Sequence, residues 1–315
     1  LALKCAELPL YCFIGILSGL FWGANDVFTA LLSQHVVLSS VFAMLVFSAL
    51  LAFVQDLCSA ASIVGYYSCC SRWTVLWRQM ASARKIILVS AFCAGPLGLL
   101  CSILAILNLG PVYAGAITAG YPLVALLGSR FYLRESLSRQ RVFGVLIGVV
   151  AVVLIVLLDR SSGASPHFLL GVCFAVVALL GWGMEAVFFS AAYSRTGVNS
   201  SALLAMRQIC SSFFYFLILL VCASSCSGFY SLVVQVVSGH DLMSLCVLSA
   251  GLSYLAYYYC IKVLSASTAT LFNVTFIFWS AIISSIVGFA VLPALFWCGA
   301  VLLFAAVFFT LFEFL

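Results

Sequence analysis

Ten apolar runs, each about twenty residues or longer, follow one another along the chain with little between them. A run of that length is what a helix needs to cross the hydrocarbon core of a bilayer. They lie near 10–33, 38–66, 86–108, 111–132, 140–158, 167–192, 200–224, 242–263, 266–289 and 293–313. In lipid every backbone N–H and C=O must find its partner within the segment, so runs of this length are read as helices rather than open strands. With 66% hydrophobic residues, 7% charged ones and a mean hydropathy of +1.30, the 315 residues leave little for a soluble domain. The first run carries Asn25 and Asp26 and is too long for the apolar region of a signal peptide, so it is read as the first span. The stretch from Ser224 to His240 is weakly polar and either extends the seventh helix or lies on the surface.

Basic residues test the count. Numbering the loops alternately, Lys4, Arg72, Arg78, Arg84, Lys85, Arg130, Arg134, Arg139, Arg141, Arg195 and Lys262 fall on one side. Arg160 alone falls on the other, and Arg207 falls inside a span. Lysine and arginine accumulate in cytoplasmic loops, so the pattern predicts ten helices in the plasma membrane with both termini cytoplasmic. One missed span would scatter the charges over both faces.

Short motifs recur in order. Trp22-Gly23 with Val27-Phe28 returns as Trp182-Gly183 with Val187-Phe188. Gln55-Asp56 through Ser59 returns as Arg207-Gln208 through Ser211, and Ala94-Gly95 as Ala250-Gly251. Helix one then corresponds to helix six. Five helices per copy is an odd number, which inverts the second copy and gives two units, 1–160 and 161–315, about an axis in the membrane plane. That arrangement is the layout of a transporter.

Charged side chains inside spans are costly and demand a reason. Four are placed there: Asp26, Asp56, Glu185 and Arg207. If Arg207 neutralises one acid, two remain free, which suits a cationic cargo or a proton. Asp56 and Arg207 stand in repeat-related segments and are expected to form a cross-repeat ion pair, with fixing of helix packing as the alternative role. Asp26, nearer the end of its span, is expected at the interface. Glu185 follows Trp182 by three residues, so both can face one cavity. It is the carboxylate expected to meet the cargo or to carry a proton, a packing hydrogen bond being the plainer alternative.

Aromatics in such helices usually belong to interfacial belts. Trp22, Tyr121, the group Tyr254, Tyr257, Tyr258 and Tyr259, and Trp279 differ in lying beside small or polar residues. A quaternary ammonium makes no strong hydrogen bonds and is recognised by aromatic faces, each contributing about 0.5–2 kcal/mol. Several rings with one carboxylate would select it. Gly15, Gly19 and Gly23, at four-residue spacing, allow helix one to approach a neighbour closely, and Gly144 with Gly148 does the same within the chain or in a dimer. Pro96 and Pro122 interrupt helical hydrogen bonding, as residues bordering a transporter cavity often do.

Other chemistry finds no footing. The fourteen cysteines lack paired zinc or redox spacings and read as small apolar filler. His35, His167 and His240 are scattered near loops, which leaves an enzyme without a cluster, and no nucleic-acid motif occurs. No cofactor is expected. The Trp73, Trp77, Arg72 and Arg78 group reads as an amphipathic loop on anionic lipid.

Pro122-Leu123-Val124, followed by Arg134-Glu135-Ser136-Leu137 and the run from Gly144 to Val149, resembles the first-half signature of the EamA branch of the drug/metabolite transporter superfamily. The second half departs from it, with Phe278 where the proline would recur and no acid near Ala290. Finer motifs are similar to those of the LicB choline permeases: Ser18-Gly19-Leu20-Phe21-Trp22-Gly23, Ala94-Gly95-Pro96-Leu97-Gly98, Gly181-Trp182-Gly183-Met184-Glu185, Arg207-Gln208, Ser253 through Tyr258, and Phe272-Asn273-Val274-Thr275 with Trp279. The resemblance implies a ten-helix, N-in and C-in carrier that takes up choline by alternating access, as a monomer or weak homodimer. Its implied cage is Trp22, Tyr121, Glu185, Tyr254, Tyr257, Tyr258, Asn273 and Trp279, with Asp56 and Arg207 as structural or coupling charges. The membrane potential would drive entry, and proton coupling through Glu185 is optional. An exporter of amino acids, metabolites or drugs is the alternative within the superfamily.

Overall fold

A computed structural model describes residues 8–70, 72–134, 136, 138–158, 167–225 and 228–289, with 298–299, 301–302 and 305–306 toward the C-terminus. Among these residues the secondary structure is wholly helical. Eight helical stretches are long and apolar enough to span a bilayer: Pro9–Ser33, Val41–Cys69, Ala81–Leu109, Pro111–Leu133, Phe168–Thr196, Ser200–Ser224, His240–Val263 and Thr268–Ile286. The chain is a multi-pass membrane protein. A further helix of twenty residues, Arg139–Leu158, stands where the fifth span is expected. The expected tenth span lies almost wholly outside the described residues, as do Lys4, Glu135, Leu137 and Arg160.

The helices that matter for the site are α1 (Leu8–Ser33), α2 (Val41–Cys69), α3 (Trp73–Phe92), the π-helical segment π1 (Cys93–Leu100), α4 (Cys101–Leu109), α5 (Pro111–Thr118) and α6 (Tyr121–Gly128). After π2 (Ser129–Leu133) and α7 (Arg139–Leu158) come α8 (Phe168–Thr196), α9 (Ser200–Ser225), α10 (Phe229–Ser238), α11 (His240–Val263), α12 (Ala266–Asn273) and α13 (Phe276–Ile286). Ser40 starts α2 as an N-cap, its side chain accepting from the Ala43 N–H at 3.1 Å.

Two boundaries differ from the hydropathy reading. The third helix begins at Trp73 rather than near 86, because its first turns are amphipathic. Ala83 and Ile87 are buried while Arg84 and Lys85 are exposed, a pattern that averages out in a hydropathy window. The stretch after the seventh span contains a separate short helix, α10, with Leu232 and Val236 buried.

Among the described residues three spans are interrupted. Pro96 sits inside π1, where a wider turn accommodates the missing N–H. The fourth span breaks at Ala119–Gly120 between α5 and α6, and the last described span breaks at Val274–Thr275 between α12 and α13. These last two interruptions match. Pro111 and Ala266 start eight-residue helices, α5 and α12, and each is followed by a two-residue break.

Packing follows the same pairing. α1 lies against α11, α12 and α13, while α8 lies against α3, π1, α4, α5 and α6; α2 packs on α9. Glycine makes the closest approaches possible. A methyl on Gly23 would stand 2.6 Å from the Phe276 carbonyl oxygen, and one on Gly183 would stand 2.9 Å from that of Tyr121. The outer face is apolar: Phe13, Phe213, Val221 and Val150 are all more than half exposed, which lipid tolerates and water does not.

Candidate functional site

Between α1, α6, α8, α11 and α12 lies a cavity lined by Trp22, Tyr121, Trp182, Glu185, Ser253, Tyr254, Tyr257 and Asn273. The helix breaks place two of these. Tyr121 is the first residue after the break in the fourth span, and Asn273 is the last before the break at Val274. The Tyr121 hydroxyl is 2.7 Å from Asn273 Oδ1 and 3.0 Å from the Thr270 carbonyl, so the two broken spans are joined at the cavity wall. Asn273 Nδ2 in turn donates to Ser18 Oγ at 3.0 Å, and Ser253 Oγ donates to the Ser18 carbonyl at 2.8 Å. These bonds fix α1, α11 and α12 around the same point.

The rings form a connected set. Trp22 and Trp182 meet edge to face with centroids 5.3 Å apart, Trp22 and Tyr254 at 5.2 Å, and Tyr121 and Trp182 at 6.1 Å. They leave a cavity of about 20 Å³ between them, room for roughly one water.

Behind the rings stands a buried charge network. Arg207 Nη1 donates to both oxygens of Asp56, at 2.8 and 2.9 Å, and its Nε donates to Glu185 Oε1 at 3.0 Å. Tyr258 donates a short hydrogen bond to the same Glu185 oxygen. The guanidinium carbon lies 4.3 Å from the Tyr254 ring centroid, within cation–π range. All three charged residues are essentially inaccessible.

The sequence arithmetic needs a correction here. Arg207 engages both Asp56 and Glu185, so Glu185 is not a free acid. A guanidinium has five N–H donors and bridges two carboxylates readily. Asp26, expected near the end of its span, is buried in the protein: it is 3% exposed, one turn beyond Trp22, beside Gly115 of α5. It makes no ion pair among the described residues.

Of the expected cage, Trp22, Tyr121, Glu185, Tyr254, Tyr257 and Asn273 line one cavity. Tyr258 is not in the lining but stands behind it, bonded to Glu185 and with its ring against those of Tyr254 and Tyr257. Trp279 lies elsewhere, its Cβ against Gly23 and its ring 5.1 Å from that of Phe278. Trp182 and Ser253 join the lining although neither was among the expected cage residues. The signal for Trp182 was its place one turn before Glu185 and its correspondence to Trp22. A second, larger cavity of about 640 Å³ runs between α2 and α11. Its lining is apolar residues and serines without a charged group.

No family model matches the chain. It is 26% identical over 273 residues to Protein LicB of Haemophilus influenzae, an alignment covering 84% of this chain and 85% of that protein. A solved crystal structure of a protein 16% identical to it matches with a TM-score of 0.58 over 98% of each chain. The chain is thus similar to Protein LicB along most of its length and shares its overall fold with a solved protein.

Proposed function

We propose that this protein is a choline importer of the drug/metabolite transporter type, built from ten helices in two inverted halves and working by alternating access. The observation that carries the reading is the cavity itself: aromatic rings from α1, α6, α8 and α11 converge with the carboxylate of Glu185. A trimethylammonium group is held by such faces, and the acid supplies the opposite charge. The similarity to Protein LicB and the motifs shared with the LicB choline permeases point the same way.

Several features support the inverted halves. The two eight-residue helices and their breaks recur at matching places. The neighbours of α1 are the repeat equivalents of those of α8, and Gly23 and Gly183 each abut the carbonyl of the residue that follows a break. Discontinuous helices at the junction of two repeats are where secondary transporters bind their cargo.

Choline enters from outside, the rings parting to admit it, and the halves rock about the glycine contacts to release it in the cytoplasm. A cation moving to a negative interior gains about 2.3 kcal/mol per 100 mV, so the potential drives accumulation. Radiolabelled choline uptake into proteoliposomes tests this. An inside-negative potential is expected to stimulate uptake, and absence of uptake under that potential removes the importer reading in favour of an exporter.

A further inference from the structure

We propose that Arg207 is the resident cation of the cage: its guanidinium holds Tyr254 and one oxygen of Glu185 while the cavity is empty, and yields both to the incoming ammonium. The inference rests on the choline reading and concerns how that same site is regulated.

Tyr254 and Glu185 both line the cavity, yet a buried cation already engages each from behind. Arg207 Nε is 3.0 Å from Glu185 Oε1, and the guanidinium carbon is 4.3 Å from the Tyr254 centroid. A second cation at the same ring and carboxylate would face Arg207 at close range in a water-poor interior, where like charges repel strongly. Cargo and guanidinium therefore compete.

Asp56 gives Arg207 somewhere to stay. Both its oxygens accept from Nη1, at 2.8 and 2.9 Å, through an arm of the guanidinium that does not touch Glu185. Arg207 can release Nε and the ring face while remaining paired with Asp56. Its Nη2 is buried without a hydrogen-bond partner among the described residues, a donor that the present arrangement leaves unsatisfied and that a shifted guanidinium can place. Charge follows the same logic. Asp56, Glu185 and Arg207 sum to minus one when ionised, and cargo brings the buried set to neutrality while Arg207 and Asp56 balance each other. The return of Arg207 to Glu185 and Tyr254 then helps expel the cargo, so the affinity of the cage is held below what its rings alone would give.

Two measurements on the purified full chain in lipid nanodiscs test this. In protein carrying isotope-labelled arginine, the guanidinium signal of Arg207 is shifted by the Tyr254 ring. Saturating choline is expected to abolish that shift, and an unmoved signal with choline bound overturns the inference. The double variant Arg207→Gln with Asp56→Asn keeps the net charge at minus one and frees Tyr254. It is expected to bind choline about tenfold more tightly. Unchanged or weaker binding in a variant that retains the wild-type Tm also overturns it. Should the variant fail to fold, the wild-type signal decides alone. Absence of saturable choline binding to the wild type overturns the cargo reading and this inference together, whereas binding with an unmoved Arg207 overturns this inference only.

Discussion

Trp22 of α1 and Trp182 of α8 meet edge to face, with ring centroids 5.3 Å apart. They occupy the same place in a motif that recurs along the chain, so the two halves of the sequence bring equivalent rings to one point. Each is followed by a glycine that lets its helix press against a broken span. The aromatic cage is therefore a product of the same contacts that hold α1 and α8 in place.

Truncating either ring removes a cage wall. Trp22→Ala and Trp182→Ala are each expected to weaken choline binding by about threefold to thirtyfold, the range for one cation–π face. Trp279→Ala should leave it within about twofold, since Trp279 packs against Gly23 and Phe278 rather than the cavity. Isothermal titration of the three variants separates the cage from its surroundings.

Glu185→Gln keeps the shape of the side chain and removes its charge. Choline uptake is expected to fall by tenfold or more, roughly the effect of losing one close charge in a partly screened site. Glu185→Asp should retain part of the activity. Equal uptake by wild type and Glu185→Gln would show that the rings suffice.

The ion pair behind the cage sets stability asymmetrically. Arg207→Gln takes away the shared cation, leaves Asp56 and Glu185 buried without one, and is expected to cost about 3–5 kcal/mol. Removing all three charges, Asp56→Asn and Glu185→Gln with Arg207→Gln, should cost much less, because no charge is left buried alone. Thermal unfolding in detergent compares the two; equal losses would mean that the pair contributes net stability of its own.

Gly23→Ala places a methyl about 2.6 Å from the Phe276 carbonyl oxygen, which forces α1 off α13. A loss of about 1–3 kcal/mol is expected, as for other overpacked contacts. Gly65→Ala, at an exposed position of α2 with open space around it, is the control, and a comparable loss there would remove the close contact as the cause. Thermal unfolding of the pair reads the difference.

Much of the fold was legible because bilayer thickness writes itself into the sequence as run length. The eight apolar spans among the described residues fall close to where hydropathy put them. What escaped was local. The break at Val274–Thr275 carries no proline or glycine, so nothing in its composition marked it, although its partner at Ala119–Gly120 stands directly before Tyr121 and Pro122. Within the site, Trp22, Tyr121 and Glu185 were recognisable from costly or unusual neighbours. Asn273 was visible only through the family resemblance, since a single asparagine in an apolar run does not announce which helix it faces. The bridging of Asp56 and Glu185 by Arg207 escaped a one-to-one count of charges, because a guanidinium serves two acids at once.

The most direct test of quaternary ammonium recognition is equilibrium binding of choline, its dimethyl analogue and betaine to the purified protein. Choline is expected to saturate a single site, and the dimethyl analogue to bind more weakly. Betaine should bind at least about tenfold more weakly than choline, because its carboxylate would approach Glu185. Betaine binding as tight as choline, or no saturable choline binding at all, would contradict recognition by the rings and Glu185.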